Sequence, residues 1–253
     1  MSGASYPDLD NRTVYITGGA TGIGAAFVQA FADQGGRVAF FDIDETEGDA
    51  LADQLNETGH ECLFQPCDLA DAEGLRAAFQ DTCAEFGDAE VLINNAADDS
   101  RHDFESLSPE AWDRLIAVNL RHQFFAAQAV AASMADSGGG SIINLTSTGF
   151  LSGATGYPAY VAATAGVAGL TKSLARELGA EGVRVNAIAP GWVMTEKQKK
   201  LWLTDEAEAE LMEAQALKEK IRPEDVADLA LFLASDASRM ITGGLHVIDA
   251  GRW

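Results

Sequence analysis

The sequence predicts an α/β fold, a single domain built on a doubly wound parallel sheet with helices on both faces. Three observations predict it. Short β-branched and aromatic runs alternate with helical patterns from about residue 12 to residue 248, the order of repeated βαβ units. The first run ends in a glycine-rich turn, Gly18-Gly19-Ala20-Thr21-Gly22-Ile23-Gly24, that opens directly into a helix. No Pro-, Gly- or Ser-rich linker divides the 253 residues, so residues 1–253 are expected to share one core.

The elements follow in order. Arg12 to Thr17 is a first strand, and the AAFVQAFADQ pattern after the glycine turn is a helix that stops at Gly35-Gly36. Arg37 to Phe41 is a second strand, closed by Asp42. Residues 45–56, rich in Ala, Leu and acids, form a helix, and Glu61 to Gln65 form a less sharply patterned strand ending at Cys67-Asp68-Leu69. Asp71 to Phe86 is helical, and Glu90 to Ile93 is a fourth strand that runs into Asn94-Asn95-Ala96-Ala97. A polar loop, Asp98 to Ser106, leads to Ser108-Pro109, an N-cap with proline at the first helical position. That helix is expected to run unbroken to about Asp136, where Gly138-Gly139-Gly140 stops it.

Ser141 to Leu145 is a fifth strand. A Gly-rich loop from Ser147 then enters a long Ala-rich helix, Pro158 to Leu178. Val183 to Ile188 is a sixth strand, ended by Pro190-Gly191. Trp192 to Leu203 is the most irregular segment, of the kind that closes over ligands. An acidic helix is expected over Thr204 to Lys220, another helix over Pro223 to Ala234, and a last strand over Leu245 to Ile248.

Composition narrows the function. There are 39 acidic against 17 basic side chains, a net charge of −22, and such a field repels nucleic acid and anionic lipid. The excess suits either adaptation to high salt or an ordinary acidic protein. A melt at low and at molar KCl separates the two. No apolar run approaches the roughly 18 residues of a membrane span. The N-terminus lacks the basic and apolar regions of a signal peptide. Three cysteines without a CxxC motif fit reduced thiols. Together these lead to the expectation of a cytoplasmic protein without a metal centre, acting on a small molecule.

The motifs indicate which chemistry. Glycines at 18, 22 and 24 between a strand and a helix let backbone N–H groups meet a pyrophosphate at the helix N-terminus. Asp42, at the end of the second strand, is placed to accept from adenosine ribose hydroxyls and to repel a 2′-phosphate, which favours NAD over NADP. Asp68, also past a strand end, is either an adenine contact or a helix N-cap. Ser147 and Tyr160 supply a hydroxyl and a phenol thirteen residues apart. Oxidation of an alcohol with NAD needs a base for the O–H proton. Tyr160 serves if a neighbouring cation lowers its pKa from about 10. Ser147 would bond the substrate oxygen. Asn119, mid-helix, either kinks its helix around a water or holds a proton relay. Thr164 shares the helix face of Tyr160 one turn on.

These residues, Thr17 to Gly24, Asn94-Asn95-Ala96, Asn119, Ser147, Tyr160 and Pro190-Gly191-Trp192-Val193-Met194-Thr195, resemble the short-chain dehydrogenases/reductases over essentially the whole chain. The resemblance implies a Rossmann-like domain, a nicotinamide cofactor, usually a homotetramer, and an Asn–Ser–Tyr–Lys tetrad that maps to Asn119, Ser147, Tyr160 and, at the Lys place, Thr164. It also implies cofactor contacts from Gly18, Thr21, Gly22, Ile23, Gly24, Asp42, Asp68, Leu69, Asn95, Ala96, Ala97, Pro190, Gly191, Val193 and Thr195. Two departures stand out: Ala97 replaces the family's Gly, and Thr164 replaces the Lys that binds the nicotinamide ribose and lowers the Tyr pKa. Tyr6-Pro7, Asp99-Ser100-Arg101-His102, residues 118–122 and the ending Ile248 to Trp253 look like bacterial NAD-dependent sugar dehydrogenases of the D-xylose type. Asp99, Arg101, His102, Ser147 and Trp192 are therefore expected around a polyhydroxylated substrate. The Ala-rich helices and the terminal Trp253 accord with an oligomer. Three functions remain: an NAD-dependent oxidation of a sugar or other secondary hydroxyl; a dinucleotide-binding protein with little activity, for which Thr164 is the argument; or other chemistry on the same scaffold, such as dehydration or epimerisation of a sugar acid. Arg101, His102 and Lys197 are the loop groups able to supply the missing cation.

Overall fold

A computed structural model describes residues 4–253. Seven strands form one parallel sheet in the order β3-β2-β1-β4-β5-β6-β7. They are β1 (Thr13–Thr17), β2 (Arg37–Asp42), β3 (Cys62–Pro66), β4 (Val91–Asn94), β5 (Gly140–Leu145), β6 (Val183–Pro190) and β7 (Leu245–Ile248). Every residue of β1 and of β4 is buried, as a sheet covered on both faces requires.

One face carries α1 (Gly22–Asp33), α2 (Glu45–Glu57) and α10 (Pro223–Ala234), whose Phe27, Phe31, Leu55 and Leu231 pack with Val14, Ile16 and Val38. The other face carries α3 (Ala72–Phe86), α5 (His122–Asp136) and α7 (Pro158–Leu178), where Phe79, Val130 and Ala175 meet Tyr15, Leu92 and Val185. Strand order reverses between β1 and β4. The crevice at the carboxyl ends of these two strands is where open α/β sheets bind ligands.

The strands and most helices lie within a residue or two of their sequence-predicted bounds. Three segments differ. The helix expected over 109–136 is α4 (Pro109–Ile116), a π-turn (Ala117–Arg121) and α5. Asn119 causes the break: its Nδ2 donates to the Leu115 carbonyl at 2.9 Å and to the Asp98 carbonyl at 3.0 Å. The helix expected over 204–220 is α9 (Asp205–Ala214) only. Gln215 is extended, and the amides of Ala216 and Leu217 donate to the Ala250 carbonyl, so the chain leaves the helix to pair with the C-terminal segment. The segment expected to be irregular, 192–203, contains α8 (Glu196–Leu201), capped by the Thr195 hydroxyl, which accepts from Gln198 N at 3.3 Å. The sequence reading also missed α6 (Gly149–Ser152). Among the described residues no helix is long and apolar enough to cross a membrane. Cys62, Cys67 and Cys83 are free, and burial pushes the Cys62 thiol up to about 12.

Candidate active site

A cleft of about 1800 Å³ follows the carboxyl edge of the sheet, from the β1–α1 turn to the N-terminus of α7. Its floor is set by the chain crossing of β1 and β4. The amides of Asn95 and Ala96 both donate to the Thr17 hydroxyl oxygen, at 3.0 and 3.2 Å, and Asn95 Nδ2 donates to the Gly18 carbonyl at 2.7 Å. With two donors already on Thr17 Oγ1, its own proton goes to His122 Nε2, 3.3 Å away. Burial lowers the His122 pKa to about 4, so the ring is a neutral acceptor in the wall.

The glycine turn is a cradle that side chains would fill. Gly18 has φ +68, and a Cβ there would lie 2.6 Å from the Ala96 Cα. A Cβ on Gly24 would lie 1.7 Å from the Gly18 carbonyl oxygen. Thr21 precedes α1 without capping it, and the first turn holds no acid. The helix N-terminus thus presents its dipole and free amides to the cleft, which fits a pyrophosphate. Gly22, Ile23 and Thr21 line the same end.

Asp42 closes that end. Its Oδ2 accepts from Ala20 N at 2.9 Å, and its Oδ1 accepts from Ile43 N at 2.8 Å and Asp44 N at 3.1 Å. The carboxylate is fixed, with Asp44 and Glu47 beside it on the cleft wall. Asp68 and Leu69 line the wall opposite. Asp68 is not a helix cap: Asp71 caps α3, while Asp68 accepts from Ala70 N and pairs with Arg114 at 3.4 Å.

At the far end Ser147 and Tyr160 both face the cleft. Ser147 Oγ accepts from Gly149 N at 3.0 Å. Burial and then the Asp99 carboxylate push the Tyr160 phenol well above its ordinary range. The Ser147 hydrogen bond and Arg101 pull the other way, and Tyr157 pushes up again. Thr148 N and Oγ1 both donate to the Pro190 carbonyl, at 3.0 and 3.2 Å. Gly191 N donates to the Ile248 carbonyl and Met194 N to that of Ile221, which hold Pro190 to Thr195 along the rim with Gly191, Trp192, Val193 and Thr195 lining it. Ala97, whose methyl replaces the family's Gly, lines the cleft without closing it.

Three expected site residues lie behind the wall. Asn119 is 2% exposed and acts on the backbone, with its Oδ1 accepting from Asp98 N at 2.9 Å. It kinks its helix and sets the loop that follows β4. Thr164 is 3% exposed, and its hydroxyl donates to the Val161 carbonyl at 3.0 Å, which turns it back onto its own helix. His102 does not line the cleft in the single chain and staples the loop to α7. Its amide donates to the Gly156 carbonyl, its Nδ1 donates to the Ser100 carbonyl, and its Nε2 accepts from Ala159 N at 3.4 Å.

The loop after β4 and the segment after β6 are bridged across the cleft mouth. Asp99 Oδ1 accepts from Lys197 Nζ and Oδ2 from Gln198 Nε2, both at 2.7 Å. Trp192 Nε1 donates to Gln198 Oε1 at 2.8 Å. Burial raises the Asp99 pKa, but Lys197, Gln198 and Arg101 outweigh it and hold the carboxyl below the usual range. The Arg101 guanidinium carbon lies 3.6 Å from the Tyr157 ring centroid and 5.3 Å from that of Trp202. Gln198, Tyr157 and Trp202 escape the sequence reading. Only Tyr157 carried a signal, an aromatic at i−3 from Tyr160 on a helix start. Among the described residues no cluster of His, Cys, Asp and Glu is placed to hold a metal ion.

The profile of the family described as enoyl-(acyl carrier protein) reductase matches residues 18–252. A probable galactose dehydrogenase of Rhizobium meliloti is 47% identical over 252 residues, 99% of this chain and 98% of that one. A D-xylose 1-dehydrogenase of Caulobacter vibrioides is 45% identical over 251 residues, 99% of each. Among solved structures, a blue fluorescent protein from a metagenomic library, in complex with NADPH, superposes with a TM-score of 0.89 at 30% identity, covering 97% of this chain and 99% of its own.

Proposed function

Because the chain belongs to the short-chain dehydrogenase/reductase family, we propose that it oxidises a hydroxyl of a sugar, an aldose or a deoxy-sugar acid, with NAD as the acceptor. One observation carries the reading: a single cleft joins the glycine cradle and Asp42 to Ser147 and Tyr160. The names of the sugar dehydrogenases it resembles supply the substrate class.

The glycine turn and the α1 N-terminus hold the pyrophosphate, and Asp42 accepts from the adenosine ribose hydroxyls. A nicotinamide dinucleotide supplies the hydride acceptor for the carbinol carbon. Ser147 Oγ holds the substrate oxygen, and Tyr160 takes the proton from that oxygen as the C–H electron pair leaves. Asp99, Arg101 and Trp192 bound the space in which the remaining hydroxyls sit. The carboxylates of Asp42, Asp44 and Glu47 at the adenosine end favour NAD, since each would repel a 2′-phosphate. Phe124 on α5 and Trp253 are 40% and 66% exposed in the single chain. The homotetramer reading covers such faces, and a monomer by light scattering would end it.

The test is a panel of aldoses and sugar acids with NAD and NADP from pH 7 to 10.5. Turnover with NAD, lost in Tyr160→Phe, is expected, and activity surviving that substitution removes Tyr160 as the base. A second reading, a dinucleotide-binding protein with little activity, draws on the inward-turned Thr164 and the raised Tyr160 phenol. NAD bound by calorimetry without turnover on any sugar would favour it.

A further inference from the structure

We propose that Arg101, held over the rings of Tyr157 and Trp202, is the positioning charge that makes Tyr160 a base. The proposal rests on the reading of Tyr160 as the proton acceptor.

A phenol that must give up its proton in a buried site needs a positive charge within a few ångströms. The groups acting on Tyr160 come from three elements. Asp99, on the loop after β4, opposes ionisation, as does Tyr157 at the start of α7, whose ring centroid lies 5.4 Å from that of Tyr160. Ser147, after β5, and Arg101 favour it. Thr164, one turn along α7, bonds its own helix and carries no charge.

Three lysines on this side are engaged with carboxylates. Lys197 pairs with Asp99 at 2.7 Å, Lys199 with Glu196 at 2.7 Å, and Lys220 with Glu208 at 2.6 Å. His102 Nε2 accepts from the Ala159 amide. Arg252 lines the cleft but is not among the charges acting on Tyr160. Arg101 makes no salt bridge among the described residues, although its charge also acts on the Asp99 carboxylate. Its guanidinium lies over the face of Tyr157, the ring that in turn packs on Tyr160.

The position is built. His102 N donates to the Gly156 carbonyl at 2.9 Å, so the residue next to Arg101 is tied to the entry of the helix that bears Tyr160. Trp202, just past α8, flanks the guanidinium from the other side. The Lys197–Asp99 pair ties α8 to the loop that carries Arg101 and holds in place the carboxylate that opposes the phenolate.

Tetranitromethane attacks the phenolate of tyrosine, so its rate at Tyr160 reads the ionised fraction even when that fraction is small. The experiment measures nitration of Tyr160 at pH 9 by fragment mass spectrometry in wild type, Arg101→Met, Arg101→Lys and Trp202→Ala, beside the pH profile of kcat/KM and a thermal melt. Arg101→Met is expected to slow nitration roughly tenfold and to move the activity limb up by about one pH unit. Arg101→Lys is expected to keep most of the rate, and Trp202→Ala to fall between. A wall that merely opened would speed nitration instead. Equal or faster nitration in folded Arg101→Met overturns the proposal. No turnover in wild type with the nitration difference intact overturns the dehydrogenase reading and, with it, the base role of Tyr160, and leaves only the action of Arg101 on the phenol.

Discussion

Asp42→Asn isolates the charge that should choose the dinucleotide. The carboxylate accepts three backbone N–H bonds, from Ala20, Ile43 and Asp44, and cannot swing away. If it bonds the ribose hydroxyls, a 2′-phosphate on that ribose must sit beside it, at about 4 Å. At that separation a pair of like charges costs about 4 kcal/mol at an effective dielectric of 20 and about 1 kcal/mol in bulk water. Asp42 is half-buried at an open cleft end, with exposed Asp44 and Glu47 beside it, so the lower part of that range applies, about 1–2 kcal/mol. Since about 1.4 kcal/mol is tenfold in affinity, wild type should prefer NAD over NADP by roughly five- to thirtyfold from this residue alone. Asn keeps one acceptor oxygen but turns an NH2 toward a backbone donor, so the melt should fall by the equivalent of about 1 kcal/mol. Calorimetry with NAD and NADP at fixed salt gives the ratio of dissociation constants. It should collapse toward unity in Asp42→Asn, chiefly through tighter NADP. A ratio that does not move would refute the argument that this charge selects the cofactor. Tighter NADP than NAD in wild type would refute the NAD assignment itself.

Three further outcomes follow from the geometry. Gly24→Ala puts a methyl 1.7 Å from the Gly18 carbonyl oxygen and 2.8 Å from Asn95 Nδ2. It should cost about 1–3 kcal/mol in a melt and abolish measurable dinucleotide binding, and full binding would refute the cradle. The Lys197–Asp99 pair holds the Asp99 carboxyl low, so its stabilisation is present above the ordinary carboxylate pKa of about 3.9 and is lost as pH falls through the lower folded value. Lys197→Met should thus melt below wild type by the equivalent of up to about 1 kcal/mol at pH 7, the pair being partly exposed. The gap should narrow as pH falls below about 3.9, and a gap that does not change with pH is not electrostatic. Thr164→Lys added to Arg101→Met puts a cation back on the Tyr160 face of α7 and should recover roughly tenfold in Tyr160 nitration rate. No recovery would mean that a charge at residue 164 does not reach the phenol.

The strands were legible because each is buried on both faces, which leaves contiguous runs such as Thr13-Val14-Tyr15-Ile16-Thr17 in the sequence. Two of the helix errors share a cause: a local pattern overruled by a distant partner. Nothing in the periodicity of 109–136 breaks at Asn119, because the π-turn depends on its bonds to Asp98, 21 residues away. The acid- and Ala-rich stretch to Lys220 has helical propensity, but two amides after Ala214 are taken by the Ala250 carbonyl. The third error was avoidable. Thr195-Glu196 is an N-cap signal, hidden by the Pro-Gly-Trp before it.

In the site, what the sequence carries well is anything fixed by one turn of chain. The glycine cradle, Asp42 at a strand end and the Ser147–Tyr160 pair all fall in this class and all line the cleft. What it carries poorly is which of several candidates across the cleft has its charge free. Arg101, His102 and Lys197 were equivalent as letters. The fold separates them by occupation: Lys197 is bound to a carboxylate, His102 is spent on backbone 57 residues away, and Arg101, in no salt bridge, lies over Tyr157, the ring that packs on Tyr160. A missing cation at residue 164 is therefore not by itself a sign of lost chemistry. The phenol responds to the field at its oxygen, whichever element supplies it, and a guanidinium held from the cleft side can act on Tyr160 without passing through the helix that carries Thr164.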